Sequence, residues 1–209
     1  MTADFLAGLA RERATAILRT DSQERAAAAM EAAVRGGFHH LEFTLTTPGA
    51  LELVAEFARR PDLVVGAGTV LTVADARAAV AAGARFLVSP VVDEEVIRAA
   101  VDLGVAAIPG CHTPTEMLRA HRAGAALQKL FPAPAGGPDY VRSVLAPMPF
   151  LRIIPTNGID ENNAAAYLAA GAVAVGFVAS LFPAEEVAAG RGDRIEERAR
   201  RLLARVHAP

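Results

Sequence analysis

One lysine stands among the 21 cationic side chains of this 209-residue chain; every other one is arginine. It is Lys129, in the apolar stretch Ala125-Ala-Leu-Gln-Lys-Leu-Phe131, which reads as a strand. Arginine stays charged at any accessible pH, whereas a desolvated lysine can lose its proton and become a nucleophile. Codon bias accounts for the arginines, but not for a single lysine surviving in this segment. A second group of interest is Glu42, within His39-His-Leu-Glu-Phe-Thr-Leu45. Side chains alternate along a strand. If Lys129 points inward, so do Leu127 and Phe131, while Gln128 and Leu130 face helices. If Glu42 points inward, so do His40 and Thr44, and Leu41 and Phe43 pack outward. Lysine and carboxylate sharing an apolar interior suit imine chemistry. The neutral amine adds to a ketone, and the resulting Schiff base accepts electrons when a neighbouring C–C bond breaks. The carboxylate moves the protons. This chemistry needs no metal and no organic cofactor. The competing reading is a buried structural ion pair, which is costly to desolvate and a poor device for stability.

Such residues need elements to hold them. Eight short apolar runs alternate with longer Ala/Glu/Arg-rich segments of helical pattern. The runs lie at 14–19, 39–45, 63–66, 85–89, 105–109, 126–131, 150–154 and 172–176. The helical segments lie near 22–35, 48–59, 73–82, 93–103, 114–123, 138–145 and 161–170, with a last helix near 194–207. Start signals precede several of them: Ser22, Thr47 before Pro48, Thr72, Asp93, Thr113 before Pro114, and Asp160. Glycines close several: Gly36-Gly37, Gly83, Gly104, Gly124 and Gly171. Eight uniform βα units predict an α/β fold, a (β/α)₈ TIM barrel, as one domain over residues 1–209. Residues 1–13 read as a short extra helix over the barrel floor. An open doubly wound sheet is the alternative, but no dinucleotide fingerprint follows the first strand.

Active sites of such barrels sit at the C-terminal ends of the strands. In chain order those ends carry Arg19, then Glu42 with Thr44, then Gly66-Ala-Gly-Thr69, then Ser89-Pro90. They continue with Pro109-Gly-Cys-His112, Lys129, Pro155-Thr-Asn-Gly158 and Gly176.

Composition narrows the partners. A net charge of −2 and a pI of about 6.2 give no electrostatic case for nucleic acid. One cysteine excludes an internal disulfide and a Cys-rich zinc site. Mean hydropathy is +0.30, yet no apolar run approaches the ~18 residues of a membrane span, and the N-terminus lacks a signal-peptide pattern. A cytoplasmic protein of small-molecule metabolism is expected. His39-His40 do not form a metal pair on one strand face, Cys111-His112 lack a third partner for a nucleophilic dyad, and Gly66-Ala-Gly68 lacks the third glycine of a dinucleotide loop. Gly136-Gly137 reads as loop, and 194–205 as a solvated helix face.

Five segments occur in order on the strand ends: Leu41-Glu-Phe-Thr-Leu-Thr-Thr47, Gly66-Ala-Gly-Thr-Val-Leu71, Pro109-Gly-Cys-His-Thr-Pro-Thr-Glu116, Lys129-Leu-Phe-Pro-Ala133 and Pro155-Thr-Asn-Gly-Ile159. Together they resemble the class I aldolases that act on 2-keto-3-deoxy-6-phosphogluconate (KDPG) and 4-hydroxy-2-oxoglutarate (KHG), over nearly the whole chain. The resemblance implies that Lys129 is the Schiff-base lysine and Glu42 the general acid/base. Thr69 and Thr156 would contact the pyruvyl part, Pro90 would shape the pocket wall, and Phe131 would pack beside the imine. Asn157 and Gly158 would lie at the phosphate end. The implied enzyme is a homotrimer that releases pyruvate and an aldehyde from a small 2-keto acid. Arg19 resembles the first-strand arginine of the galactonate-specific branch.

Two positions depart from the family pattern. Thr46 stands where many members have an arginine for the substrate carboxylate, a task that Arg19 could take over. Asn157-Gly158 and Val178-Ala179 stand where the family has Gly-Gly and Gly-Ser around phosphate. Ser180 would substitute only if the register shifts by one. A strong preference for phosphorylated substrates is therefore not expected. Two other classes remain: a phosphate-binding barrel isomerase with Lys129 as acid/base, and a catalytically silent barrel serving oligomerisation or ligand binding.

Overall fold

A computed structural model describes residues 2–208. After α1 (Thr2–Glu12), strands and helices alternate: β1 (Ala14–Leu18), α2 (Gln23–Arg35), β2 (His40–Thr44), α3 (Ala50–Phe57), β3 (Val64–Gly68), α4 (Val73–Ala81), β4 (Phe86–Ser89), α5 (Glu94–Asp102), β5 (Ala106–Cys111), α6 (Pro114–Arg122), β6 (Gln128–Leu130), α7 (Gly137–Leu145), β7 (Ile153–Pro155), α8 (Ala164–Ala169) and β8 (Val175–Phe177). Two helices follow, α9 (Ala184–Ala188) and α10 (Gly192–His207). The strands are parallel, in the order β7-β6-β5-β4-β3-β2-β1-β8, and a single bridge from Thr156 to Gly176 closes the ring. This is the expected eight-stranded TIM barrel.

The barrel has two apolar layers, as period-2 alternation requires. Leu41, Phe43, Leu130, Ile153 and Phe177 face the helices and pack with their apolar stripes. Phe86, Val88, Ile108, Leu127 and Ile154 face the axis. Phe5 and Leu9 of α1 join this inner cluster from below. The Phe5 and Phe86 rings stack with centroids 5.1 Å apart, so the N-terminal helix stoppers the floor as expected.

Capping fixes where helices leave the strand ends. Thr72 with Asp75, and Thr113 with Glu116, form reciprocal capping boxes, the second with Pro114 in the first turn. Ser22 and Asp93 accept backbone N–H groups at the starts of α2 and α5.

Four expectations shift. The third helix begins at Ala50, not at 48, because Gly49 takes φ 68° and becomes its N-cap. Thr47 instead accepts the Thr20 N–H and bonds Thr44 Oγ1. The helix after β7, α8, begins at Ala164, because Asp160 spends its carboxylate on the N–H groups of Asn162 and Asn163 in a turn. Strands β7 and β8 sit further along than 150–154 and 172–176. Phe150 is half exposed before β7, and the Ala172–Ala174 stretch precedes the paired residues of β8. Finally, α9 lies in a segment with no expected element. Pro183, Glu185, Glu186 and Gly190 carried its start, first-turn and stop signals.

Candidate active site

Strands β2 and β6 are four places apart in a ring of eight, so they face each other across the barrel. Glu42 from β2 and Lys129 from β6 meet there, with Nζ 4.0 Å from Oε1. The alternation that aims them inward is the one expected: Leu127 lies in the inner cluster and Leu130 in the outer, and Gln128 turns outward to accept the Arg152 N–H. Lys129 Nζ also lies 5.1 Å from the centroid of the Phe131 ring, a face that favours a cation.

Glycine makes room for the carboxylate. Gly68 of β3 pairs with Thr44 of β2, and a Cβ placed on it would lie 2.0 Å from Glu42 Oε1. Glycine is what lets the carboxylate fold against the β3 backbone. The same device recurs at the barrel seam, where a Cβ on Gly176 would lie 2.6 Å from Thr156 Oγ1.

Glu42 is 2 % exposed, and its Oε1 accepts no hydrogen bond. Burial therefore pushes its carboxyl above the ordinary range, with Lys129 and Arg19 pulling the other way. Thr156 is buried beside it, its hydroxyl also without a partner. Polar atoms left bare in a protein interior are costly, and these two face a cleft that a polar ligand can enter.

That cleft has a volume of about 180 Å³. Arg19, Glu42, Thr69, Pro90, Lys129, Phe131, Thr156 and Asn157 all border it, so the structure brings together eight of the nine residues expected at the site. Gly158 does not line it; its carbonyl accepts from Asn163 Nδ2 at 2.8 Å on the far side of the turn. Ile17, Thr44 and Val178 complete the wall. Ile17 and Thr44 were accessible to sequence reasoning, since each lies two residues from a site residue on the same strand face.

Two of the bordering residues adopt a conformation rare outside glycine. Thr69 (φ 59°) and Asn157 (φ 66°) are left-handed at the ends of β3 and β7. Such positions cost of order 1–3 kcal/mol and cluster at functional sites. Thr69 is further held by Arg19, whose Nη2 donates to its Oγ1 at 3.3 Å. Arg19 is exposed at the cleft mouth, where a substrate carboxylate or a second anionic group would pass. Thr46 is also exposed and bonds Thr44 Oγ1 at 3.0 Å.

Around the eighth strand, Val178 faces the cleft. The Ser180 hydroxyl is committed elsewhere, donating to the Ile159 carbonyl at 2.6 Å. Cys111 is buried, its thiol 3.5 Å from the Pro109 carbonyl and pushed up to about 12 by burial, the opposite of an activated nucleophile. Among the described residues no three His, Cys, Asp or Glu side chains are grouped to hold a metal ion, and no helix is long and apolar enough to cross a membrane.

Comparison with known proteins agrees with this geometry. Residues 7–198 match the family model for KDPG and KHG aldolase. The chain is 38 % identical over 184 residues to the 2-dehydro-3-deoxy-phosphogluconate aldolase of Treponema pallidum, covering 87 % of this chain and 88 % of the relative. It is 32 % identical over 196 residues to the 2-dehydro-3-deoxy-6-phosphogalactonate aldolase of Escherichia coli, covering 92 % of each. Among solved structures it is similar to KDPG aldolase of Legionella pneumophila, which holds pyruvate captured as a covalent carbinolamine. The TM-score is 0.86 at 30 % identity, covering 94 % of this chain and 97 % of that one. Of the three classes that the sequence left open, only the carbon–carbon lyase agrees with these relatives. The chain belongs to the KDPG and KHG aldolase family of class I aldolases.

Proposed function

We propose that Lys129 is the imine-forming residue and Glu42 the proton-transfer group of an aldolase that cleaves a 2-keto-3-deoxy sugar acid, or 4-hydroxy-2-oxoglutarate, to pyruvate and an aldehyde. The observation that carries this reading is the 4.0 Å approach of the two side chains in one cleft. The unprotonated Lys129 amine adds to the C2 ketone, and the carbinolamine loses water to give the protonated imine. Glu42 takes the proton of the C4 hydroxyl as the C3–C4 bond breaks. The electron pair of that bond moves into the imine and leaves an enamine, while C4 departs as the aldehyde. Protonation of C3 and addition of water then release pyruvate and restore the amine. Thr156 offers a hydroxyl to the pyruvyl carboxylate, Thr69 does the same from the opposite rim, and Phe131 and Pro90 keep water from the imine.

The aldehyde end meets a poorly built anion site. Val178 puts a β-branched side chain where backbone N–H groups should approach oxygens, and Ser180 has already given its hydroxyl to Ile159. The substrates for which the two relatives are named are phosphorylated, but this chain is proposed to discriminate only weakly for phosphate. Arg19, poised on Thr69, is assigned to the substrate carboxylate in place of the arginine that Thr46 lacks. The family resemblance also supports a cytoplasmic homotrimer built from single-domain chains, which light scattering on the purified chain tests.

The experiment is a substrate panel with coupled detection of pyruvate, run on the parent and on Lys129→Arg. Parent activity with total loss in the variant supports the assignment. Undiminished cleavage by Lys129→Arg overturns it.

A further inference from the structure

Thr44 borders the cleft two residues after Glu42, on the same face of β2. It is 3 % exposed, and its hydroxyl is the centre of a small cluster, with Thr46 Oγ1 at 3.0 Å and Thr47 Oγ1 at 3.3 Å. The directions of these bonds follow from counting protons, since a hydroxyl has one proton to give and two lone pairs to fill. Thr47 is 2 % exposed, and its Oγ1 accepts the Thr20 N–H at 3.3 Å. The acceptor within reach of its own proton is Thr44 Oγ1. Turned the other way, that bond would leave the Thr47 proton buried without an acceptor, which is costly. Thr47 therefore donates to Thr44. Thr46 is exposed and satisfied by water either way, so it is free to fill the second lone pair of Thr44. The Thr44 proton is then left for the cleft, and the hydroxyls donating into Thr44 Oγ1 polarise it as a donor.

Strand register says what stands beside that donor. Thr44 pairs with Gly68 of β3, one residue before Thr69. On the other side Leu18 of β1 pairs with Phe43, which brings Arg19 next to Thr44. Arg19 Nη2 reaches across β2 to donate to Thr69 Oγ1 at 3.3 Å. Thr69 thus has a lone pair filled and its own proton to give, the same condition as Thr44. A guanidinium and two hydroxyls from three consecutive strands make one arc of donors, the complement of a carboxylate. The arc is within reach of the imine. Glu42 Oε1 lies against Gly68, where a Cβ would stand 2.0 Å from it, and Lys129 Nζ is 4.0 Å from the same oxygen. A ketone carbon joined to Nζ stands near the level of the Thr44–Gly68 pair, and C1 is one bond further.

We propose that Thr44 is a substrate-binding residue, donating its hydroxyl proton to the pyruvyl carboxylate and completing the cradle begun by Arg19 and Thr69. This inference rests on the assignment of imine formation to Lys129 and of the substrate carboxylate to Arg19.

The test is methyl-proton exchange in deuterated water, which follows enamine formation and needs no aldehyde partner. It is run with pyruvate and with pyruvamide, a ketone of the same shape that carries no carboxylate. Each variant is compared with the parent on the same ketone, so the intrinsic reactivities of the two ketones cancel. Thr44→Val should raise KM for pyruvate about tenfold, the effect of losing one hydrogen bond to a charged group, with kcat within about twofold. KM for pyruvamide should change less than about threefold, because a bond to a neutral acceptor contributes less. Thr44→Ser, which keeps the donor, should restore the parental KM. A residue that only shapes the wall would shift both ketones alike; equal shifts, or no shift with either, overturn the proposal. Should Thr44→Val fail to fold, Thr44→Ser against Thr44→Ala repeats the comparison, since the two differ by the hydroxyl alone and neither adds bulk. Exchange retained by Lys129→Arg would refute the imine assignment and this proposal with it. An unaltered pyruvate KM in Arg19→Leu would refute the Arg19 assignment alone, while the Thr44 series still decides Thr44.

Discussion

Lys129 and Glu42 reach each other from opposite walls of the barrel, β6 and β2, and stand 4.0 Å apart with little solvent between them. Neither strand alone makes this pair. It depends on ring closure at Thr156 and Gly176, on Gly68 leaving space beside the carboxylate, and on α1 sealing the floor. The chemistry is therefore a property of the closed barrel, and each supporting contact gives a way to test it.

Glu42→Gln should lower kcat by about 10²–10⁴, the range for losing a general acid/base, and should also stabilise the fold at neutral pH. Because burial raises the Glu42 carboxyl, ionising it opposes folding. That penalty is absent below the ordinary carboxyl value of 4.5, grows as pH rises toward the folded value, and levels off above it. Melting temperatures of parent and variant should coincide near pH 4 and separate by pH 7, the variant being higher. Near-parental turnover, or a variant less stable at pH 7, contradicts the assignment.

Gly68→Ala should leave a folded barrel with a displaced carboxylate, since the new Cβ would lie 2.0 Å from Glu42 Oε1. Misplacement of a reacting group by about 1 Å costs about 10²-fold, so kcat should fall by that order while circular dichroism stays unchanged. Unaltered kcat would mean that Glu42 acts from elsewhere.

His40 should make the fold acid-sensitive. Its imidazole falls from 6.5 to about 4 on folding, so the stabilising effect of keeping it neutral is complete above pH 6.5 and is lost as pH falls toward 4. The full loss is about 3 kcal/mol. His40→Gln should remove this dependence, so urea unfolding at pH 7 and pH 4.5 should show a smaller drop for the variant than for the parent. Equal drops would show that His40 carries none of the acid sensitivity.

Much of this arrangement is written in local pattern. Alternation around Glu42 and Lys129 orients both strands, and Thr72 and Thr113 with their acidic partners, and Asp93 alone, mark helix starts that form as expected. What was not legible depends on distant contacts. Thr69 carries no sequence signal for a left-handed backbone, whereas Asn157 before Gly158 does. The need for glycine at 68 appears only once Glu42 lies beside it, and β8 pairs where β1 and Thr156 receive it rather than where its apolar run begins. That the Ser180 hydroxyl donates to the Ile159 carbonyl is likewise a contact no local pattern announces.

Phosphate selectivity should be weak. A charge-assisted hydrogen bond contributes about 1.5–3 kcal/mol, so the missing serine and glycine contacts cost one to a few powers of ten in kcat/KM. The values to compare are those for KDPG, unphosphorylated 2-keto-3-deoxygluconate and 4-hydroxy-2-oxoglutarate. Val178→Gly with Ala179→Ser should shift selectivity toward the phosphorylated substrate. A parental preference above about a thousandfold for phosphate would contradict this, because such discrimination needs a well-built anion site.

The central claim is that Lys129 carries the reaction, and borohydride reduction in the presence of pyruvate tests it most directly. With one lysine in the chain, intact mass and one peptide map are sufficient. The expected result is a single reduced pyruvyl group per chain, located on Lys129, with activity lost in proportion. Complete inactivation without added mass, or an adduct confined to the N-terminal amine, would contradict the account.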